Sequence, residues 1–99
     1  MRQVLRTTAA EQDLEEILGF LLGMSEATAD RFTTDLESVC RLLAAQPGIG
    51  RPRDDLGPGV RSRVVGYHVL FYRATDDALT VLRLIHGSRD IPAVFGDPG

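Results

Sequence analysis

The spacing of apolar residues changes once along this chain of 99 residues, and that change most constrains its fold. Before position 46, apolar residues recur every three or four positions, which is the period of an amphipathic helix. After position 60 they alternate with other residues, which is the period of a strand with one buried face. The segment between them, QPGIGRPRDDLGPGV (46–60), is rich in Gly and Pro and predicts a surface loop.

Two helices are predicted in the first part. The first carries a stripe at helical spacing, with a capping box indicated at Thr8 and Glu11 and an end at Gly23; the stripe comprises Ala10, Leu14, Ile17 and Leu21. The second begins after an N-cap at Ser25 and stops before Pro47; its stripe comprises Ala29, Phe32, Leu36, Val39 and Leu43. Because only Gly23 and Met24 separate them, we expect a helical hairpin.

Strands are predicted at 2–7 and, after the loop, in RSRVVGYHVLFYRAT with a turn at Gly66 and in ALTVLRLIH after a turn at Asp76 and Asp77. This order predicts one α+β domain over residues 1–99: an N-terminal strand, a helical hairpin and a three-stranded antiparallel meander, with the helices on one face of the sheet. The other face has no helix to cover it except the tail, where Val94 and Phe95 are apolar. We expect the last four residues to fray.

Composition excludes several classes of chemistry. The chain has no lysine, so it cannot use a lysine base or a Schiff base. One cysteine and two histidines argue against a disulfide framework, a zinc cluster or any other metal site, and we expect no cofactor. The acidic net charge of −3 argues against nonspecific binding to nucleic acid. Neither a secretory signal nor a membrane span is recognisable, so we expect a cytoplasmic protein.

Six segments in a fixed order resemble a known family. They are DLEEIL (13–18), Ala29-x-x-Phe32-x-x-x-Leu36, PGIGRPRDDL (47–56), GVRSRVV (59–65), YHVLFYR (67–73) and VLRLIHGSRD (81–90). Together they resemble the ParE toxins of bacterial type II toxin–antitoxin systems, within the ParE/RelE superfamily. The resemblance implies a small toxin with this α+β fold, held inactive in a hetero-oligomer by a ParD-like antitoxin encoded beside it.

The resemblance also implies two alternative activities. ParE-like toxins are associated with inhibition of DNA gyrase, whereas RelE-like relatives are ribosome-dependent mRNA endonucleases that use lysine, arginine and tyrosine. This chain lacks lysine, and its tyrosines, Tyr67 and Tyr72, lie in the central strands and not in the C-terminal segment. His86 is a candidate base, but no second proton carrier opposite it is apparent. We therefore favour a binding inhibitor over an enzyme, with no specific DNA binding by the toxin alone and no membrane partner.

The candidate residues for binding target or antitoxin lie on the predicted sheet and its rim: Arg61, Arg63, Arg73, Arg83, His86 and Arg89. They fall in a stretch, 61–89, with five arginines and only two acids, which suits an acidic, disordered antitoxin tail that folds as a helix and a strand on the toxin. We expect that tail to cover the arginine-bearing part of the sheet or its edge.

Each candidate residue rests on a different argument. Arg83 lies between Leu82 and Leu84, so alternation predicts that it projects from the uncovered face. For Arg73 the alternative is a salt bridge to the aspartates of the following turn. For His86 we favour hydrogen bonding to backbone at the end of the core over target contact. Arg51 and Arg53 are expected to tether the loop to the acidic helices, and the acids of 13–16 to form a solvated helix face.

Overall fold

The computed structural model describes residues 2–95. In chain order its elements are β1 (Gln3–Arg6), α1 (Thr8–Met24), α2 (Glu26–Ala45), a short 3₁₀ turn (Pro47–Ile49), β2 (Arg51–Pro52), β3 (Arg61–Val65), β4 (His68–Ala74), β5 (Ala78–His86) and α3 (Ile91–Phe95). The prediction of fraying over 96–99 lies outside the described residues.

The strands form one sheet in the order β1-β5-β4-β3-β2. β1 runs parallel to β5, and the remaining neighbours are antiparallel. The two long helices pack on one face of this sheet through the main core described below. The predicted α+β class, the N-terminal strand, the helical hairpin and the three-stranded meander are therefore confirmed. β2 was not predicted, because two residues inside a Gly- and Pro-rich loop carry no strand period.

Both boundaries of α1 differ from the predicted ones. α1 is capped by Thr7, whose hydroxyl oxygen accepts from the Ala10 backbone N–H at 3.0 Å, and not by a box of Thr8 and Glu11. The same Thr7 hydroxyl donates to the Leu82 carbonyl at 2.8 Å, so packing against β5 selects the cap. α1 also continues past Gly23 to Met24, and Ser25 alone joins the helices as the predicted N-cap of α2.

The main core lies between the helices and the sheet. It combines the apolar stripes of both helices with residues from β3, β4 and β5, including Ile17, Phe32, Leu36, Leu43, Val65, Leu70, Tyr72, Leu79, Val81 and Leu84. Cys40 is a buried core residue, as predicted, and burial raises the pKa of its thiol. This burial of apolar surface is the principal force that holds the helical hairpin on the sheet.

The second face of the sheet is not bare, contrary to the prediction. A smaller core covers it, built around Val60, Phe71 and Ile85. Leu56 from the loop and Val94 and Phe95 from α3 pack on this core, and the Phe95 ring meets Phe71 edge-on at 5.3 Å between centroids. The tail docks as its apolar residues suggested. The loop contributes to this core because burying the apolar side chains of Leu56 and Val60 removes them from water, which is favourable.

A β-bulge overturns the predicted faces of β5. Phe71 pairs with Arg83, but the next residue of β4, Tyr72, pairs with Val81, which leaves Leu82 as an extra residue. Val81 and Leu84 therefore join the main core, whereas Leu82 packs on the second face. Strict alternation had assigned Leu82 and Leu84 to one face. An extra residue shifts the alternation by one position.

Tyr72 connects the main core to the loop. Its ring is fully buried, and its hydroxyl donates to the Pro47 carbonyl at 2.6 Å and accepts from the Gly50 N–H at 3.0 Å. Burial raises the pKa of this hydroxyl, so the group stays protonated and remains a donor at neutral pH.

We expect Tyr72→Phe to lower the free energy of unfolding by about 1–3 kcal/mol, because it leaves the Gly50 N–H and the Pro47 carbonyl without this buried partner. Tyr67→Phe is the matched control, since Tyr67 is 84% exposed and should change stability little. Urea denaturation of both variants measures the difference. Equal stability of the two variants would show that the hydroxyl does not hold the loop.

Candidate functional site

A cavity of about 300 Å³ opens where α1 passes the ends of β4 and β5. We call it the strand-exit cavity. Its walls come from α1, β4, β5, the turn that follows β5 and α3; the charged and titratable residues among them are Asp13, Glu16, His68, Arg83, His86 and Arg89. Three of these, Arg83, His86 and Arg89, were predicted from the sequence, and the structure brings them together.

The inner wall of the cavity is an ion pair between Asp13 and Arg83. Arg83 donates from Nε to Asp13 Oδ2 at 2.7 Å and from Nη2 to Oδ1 at 3.0 Å, and its Nη1 donates to the Val94 carbonyl at 2.9 Å. The same carboxylate accepts the Leu84 backbone N–H at 3.0 Å. The two side chains are only 14% and 16% exposed. Arg83 is the register partner of Phe71, so it lies on the face that alternation predicted, but its guanidinium is paired within the fold. The prediction of a solvated Asp13 is wrong.

Two histidines face each other across the β4–β5 pair. His68 and His86 are register partners, with ring centroids 5.1 Å apart and rings nearly perpendicular. Behind them, Phe32 meets the His68 ring at 5.4 Å, and Tyr67 stacks on the His86 ring at 6.5 Å. Burial, and then the charge of His86, lowers the pKa of His68, so His68 is neutral at neutral pH.

The hydrogen bonds of His86 specify its tautomer. Its Nδ1 lies 3.1 Å from the Ser88 backbone nitrogen, which donates, and 2.8 Å from the Ser88 hydroxyl. Because a backbone N–H is an obligatory donor, Nδ1 carries no proton, and the proton of the neutral ring is on Nε2. The expected hydrogen bond between backbone and His86 is present, but the residue is exposed and does not lie at the end of the core as predicted.

The HGSRD segment is an ordered exit from β5. Gly87 donates its N–H to the Tyr67 carbonyl at 2.9 Å, and Arg89 donates its N–H to the His86 carbonyl at 3.0 Å. Val94 then donates to the Asp90 carbonyl at 3.0 Å as α3 forms. These bonds place the exposed Arg89 side chain on the wall of the strand-exit cavity.

Two further predicted arginines hold the loop. Arg61 donates from Nη1 to the carbonyls of Gly50 at 2.7 Å and Gly48 at 3.2 Å. Arg73 donates from Nε to the Pro58 carbonyl at 2.9 Å, so the salt bridge considered for its own turn is replaced by this bond. Carbonyls in loops without regular partners need donors, and an arginine fork supplies them.

Arg63 lies apart from the strand-exit cavity, on the wall of a wide concavity of about 650 Å³ beside β2 and β3. We call it the basic groove. Its lining combines three arginines with apolar side chains: Ile49, Arg51, Arg53, Arg63, Val64, Val69 and Ile91, with Ser62 beneath. Arg51 and Arg63 are exposed, and Val64 is 66% exposed.

Arg53 contributes to the basic groove and does not tether the loop to the helices as predicted. It forms a salt bridge of 3.0 Å with Asp55 and lies over the Phe71 ring at 5.6 Å from its centroid. Arg53 pairs within the loop because Asp55 is only two residues away, so forming the pair costs little chain entropy. The cation–π contact also places the guanidinium on the second core.

Sequence reasoning missed Asp13 and His68, and both had left a signal. Asp13 lies three residues after Ala10 and four before Ile17, which places a carboxylate on the apolar face of α1. A charged residue on such a face indicates a buried partner. His68 was assigned by alternation to the face of Leu70 and Tyr72. Its pairing with His86 follows from the turn at Asp76 and Asp77, which joins β4 to β5, together with the bulge at Leu82.

Within residues 2–95, no group of three or more potential metal ligands converges on one point. No helix of that same part of the chain has the length and apolar content needed to span a membrane.

The family model for the ParE toxin of type II toxin–antitoxin systems (parDE) matches residues 4–91. The chain belongs to the ParE toxin family. Toxin ParE1 of Mycobacterium tuberculosis is 34% identical over 91 residues, which cover 88% of this chain and 91% of that toxin. Toxin ParE3 of Caulobacter vibrioides is 31% identical over 99 residues, which cover 97% of each chain.

Solved structures agree with this ParE fold. A chain of the chromosomal ParDE system from P. aeruginosa superposes with a TM-score of 0.69 at 20% identity, covering 87% of this chain and 96% of its own length. A chain of the E. coli DinJ–YafQ complex gives a TM-score of 0.60 at 16% identity, covering 97% of this chain and 100% of its own. At these identities the likeness establishes the fold alone.

The Asp13–Arg83 pair yields a stability prediction. Asp13→Asn should lower the free energy of unfolding by about 2–4 kcal/mol, because Arg83 loses its countercharge in a site that is mostly shielded from water. Glu15→Gln, on the exposed side of α1, should change it by less than about 0.5 kcal/mol. Thermal and urea unfolding of the three proteins measure these values, and an unaffected Asp13→Asn variant would contradict the assigned role of the pair.

Proposed function

We propose that this ParE toxin arrests growth by binding DNA gyrase, and that a cognate antitoxin neutralises it. Binding is supported over catalysis chiefly by how the arginines are used. Arg61, Arg73 and Arg83 donate to carbonyls or to Asp13 inside the toxin. A guanidinium that is paired in this way shapes the surface and does not supply charge to a reacting phosphate.

The surface proposed to contact gyrase is the exposed rim of the strand-exit cavity. Tyr67, 84% exposed, stacks on His86, and Arg89 follows in the same ordered turn. An aromatic ring and an arginine held in fixed positions are typical anchors of a protein interface, since little side-chain entropy is lost on binding. The choice of gyrase as the target rests on the family resemblance. Because gyrase acts on DNA, a toxin that binds it would be located in the cytoplasm.

One observation favours RNA cleavage as a second candidate function. His68, which is neutral, is suited to accept a proton from a 2′-hydroxyl, and His86, in its imidazolium form, would donate the Nε2 proton to the leaving oxygen. Both rings line the cavity that Arg89 also lines. His68 is therefore the second proton carrier, opposite His86, that was not apparent from the sequence.

Parallel assays of the purified toxin separate the two functions. We expect inhibition of gyrase supercoiling and no cleavage of ribosome-bound mRNA. Arg89→Ala should relieve growth arrest without a change in melting temperature, whereas His68→Gln should leave gyrase inhibition within a few-fold of the parent. If RNA is cleaved and His68→Gln or His86→Gln lowers the rate by about a hundredfold or more, the toxin is a nuclease.

We further propose that the antitoxin tail binds the basic groove, in a hetero-oligomer with the toxin. Arg51 and Arg63 are exposed there beside the apolar Val64 and Val69. A tail with acidic and apolar residues would satisfy both features, because the charges steer the encounter and the apolar contacts hold the complex.

The double variant Arg51→Glu/Arg63→Glu should weaken antitoxin binding at least tenfold, mainly through slower association. Arg31→Glu, on the exposed side of α2, is a control that makes the same substitution once outside the groove, and it should bind like the parent. Calorimetry and stopped-flow measurements give both quantities. Equal affinity for the double variant and the control would place the antitoxin elsewhere.

A further inference from the structure

Large apolar side chains are exposed near the end of α1. Phe20 is 72% exposed and Met24 is 64% exposed, and because the two are four residues apart they lie on one side of the helix. Both lie outside the main core and the second core. Adjacent exposed apolar side chains mark a site of contact with another protein, and phenylalanine and methionine are enriched at such interfaces.

Two glycines lie beside these side chains, where the fold of the toxin does not require them. A Cβ built on Gly19 or Gly23 meets no atom of residues 2–95 within 4 Å apart from the adjoining helix backbone. Neither glycine has a positive φ, so neither is a left-handed cap. Alanine at both positions would give a more stable helix. We call Gly19, Phe20, Gly23 and Met24 the distal face of α1.

The distal face continues the wall of the strand-exit cavity. Glu16 and Ile17 line that cavity, and Phe20 follows them by four and three residues, so the three lie on one side of α1. The rim that is proposed to contact gyrase, with Tyr67 and Arg89, belongs to the same cavity. A partner that docks on the rim therefore lies beside the distal face.

We propose that the distal face is a second contact for gyrase, in which an apolar pocket of the target takes Phe20 and Met24 while the backbone around that pocket lies against the two glycines. This inference rests on the proposed binding of gyrase. The missing Cβ at Gly19 and Gly23 allows another backbone to approach α1 more closely than other residues permit. The centre of the contact is apolar, since residues 17–25 carry no formal charge.

The charges around the distal face favour gyrase over two other occupants. Glu16 precedes the face, Glu26 follows it, and both are exposed. An acidic antitoxin tail would be repelled at both ends. A second copy of the toxin with its α1 antiparallel would set Glu16 near the other copy's Glu26, and a parallel arrangement would set two copies of Glu16 together. The expected occupant is therefore an apolar pocket of the target with basic groups at its rim.

Truncation of one exposed side chain tests the contact. Phe20→Ala should raise the toxin concentration for half-inhibition of gyrase supercoiling at least tenfold, because an anchor is lost. Leu22→Ala is the matched control, since Leu22 is 55% exposed but lies about 200° around the helix from Phe20. The control should inhibit like the parent. Both truncations are at exposed positions, so the melting temperatures should agree within about 3 °C.

Alanine at the two glycines separates contact from stability. Gly19→Ala/Gly23→Ala should raise the melting temperature by about 4 °C or more, because alanine is the better helix former and meets no obstacle in the toxin. The same variant should raise the half-inhibiting concentration at least fivefold, because the added methyl groups hold the target backbone away. Unfolding cannot account for a toxin that is more stable and inhibits less.

The outcomes are distinguished by supercoiling assays, by calorimetry with the cognate antitoxin and by sedimentation. Equal inhibition by Phe20→Ala and the parent overturns this inference and leaves the proposed gyrase binding intact. A parent toxin that does not inhibit gyrase overturns both. If Phe20→Ala inhibits like the parent but binds the antitoxin more weakly, the distal face belongs to the antitoxin. If it inhibits like the parent but loses self-association, the face belongs to a second copy of the chain.

Discussion

The carboxylate of Asp13 joins three elements that would otherwise be independent. It binds the Arg83 guanidinium and the Leu84 N–H of β5 from its position on α1, and Arg83 in turn binds the Val94 carbonyl of α3. Because both charges are largely shielded from water, removing either one would leave the other buried without a countercharge. This pair forms the inner wall of the strand-exit cavity and links α1 to β5 and to α3.

The arginines of this ParE toxin fall into two groups, those bonded within the fold and those exposed on its surface. Arg61 and Arg73 satisfy carbonyls of the Gly- and Pro-rich loop, which has little secondary structure of its own to do so. Arg63 and Arg89 are exposed on different surfaces, one in the basic groove and one at the strand-exit cavity. The basic stretch visible in the sequence therefore does not form one continuous basic surface.

The sheet separates the proposed contacts in space. The strand-exit cavity lies at one end of the strands, and the basic groove lies beside β2 and β3. A toxin of this size has little surface to spare, so an antitoxin tail in the basic groove would cover a substantial part of it. Such binding buries a large area at the cost of ordering a flexible tail.

Local patterns in the sequence determined the elements: two helical stripes, the Ser25 cap, the turn at Gly66, where φ is +61°, and the alternation of β4. They also placed His86 and Arg89 in an ordered strand exit. Only the tertiary structure decided the pairing of Arg83 with Asp13, the neutral His68 opposite His86 and the covering of the second face. The reason is that periodicity acts over a few residues, whereas the β5 bulge depends on its partner strand and the Asp13–Arg83 pair joins residues 70 positions apart.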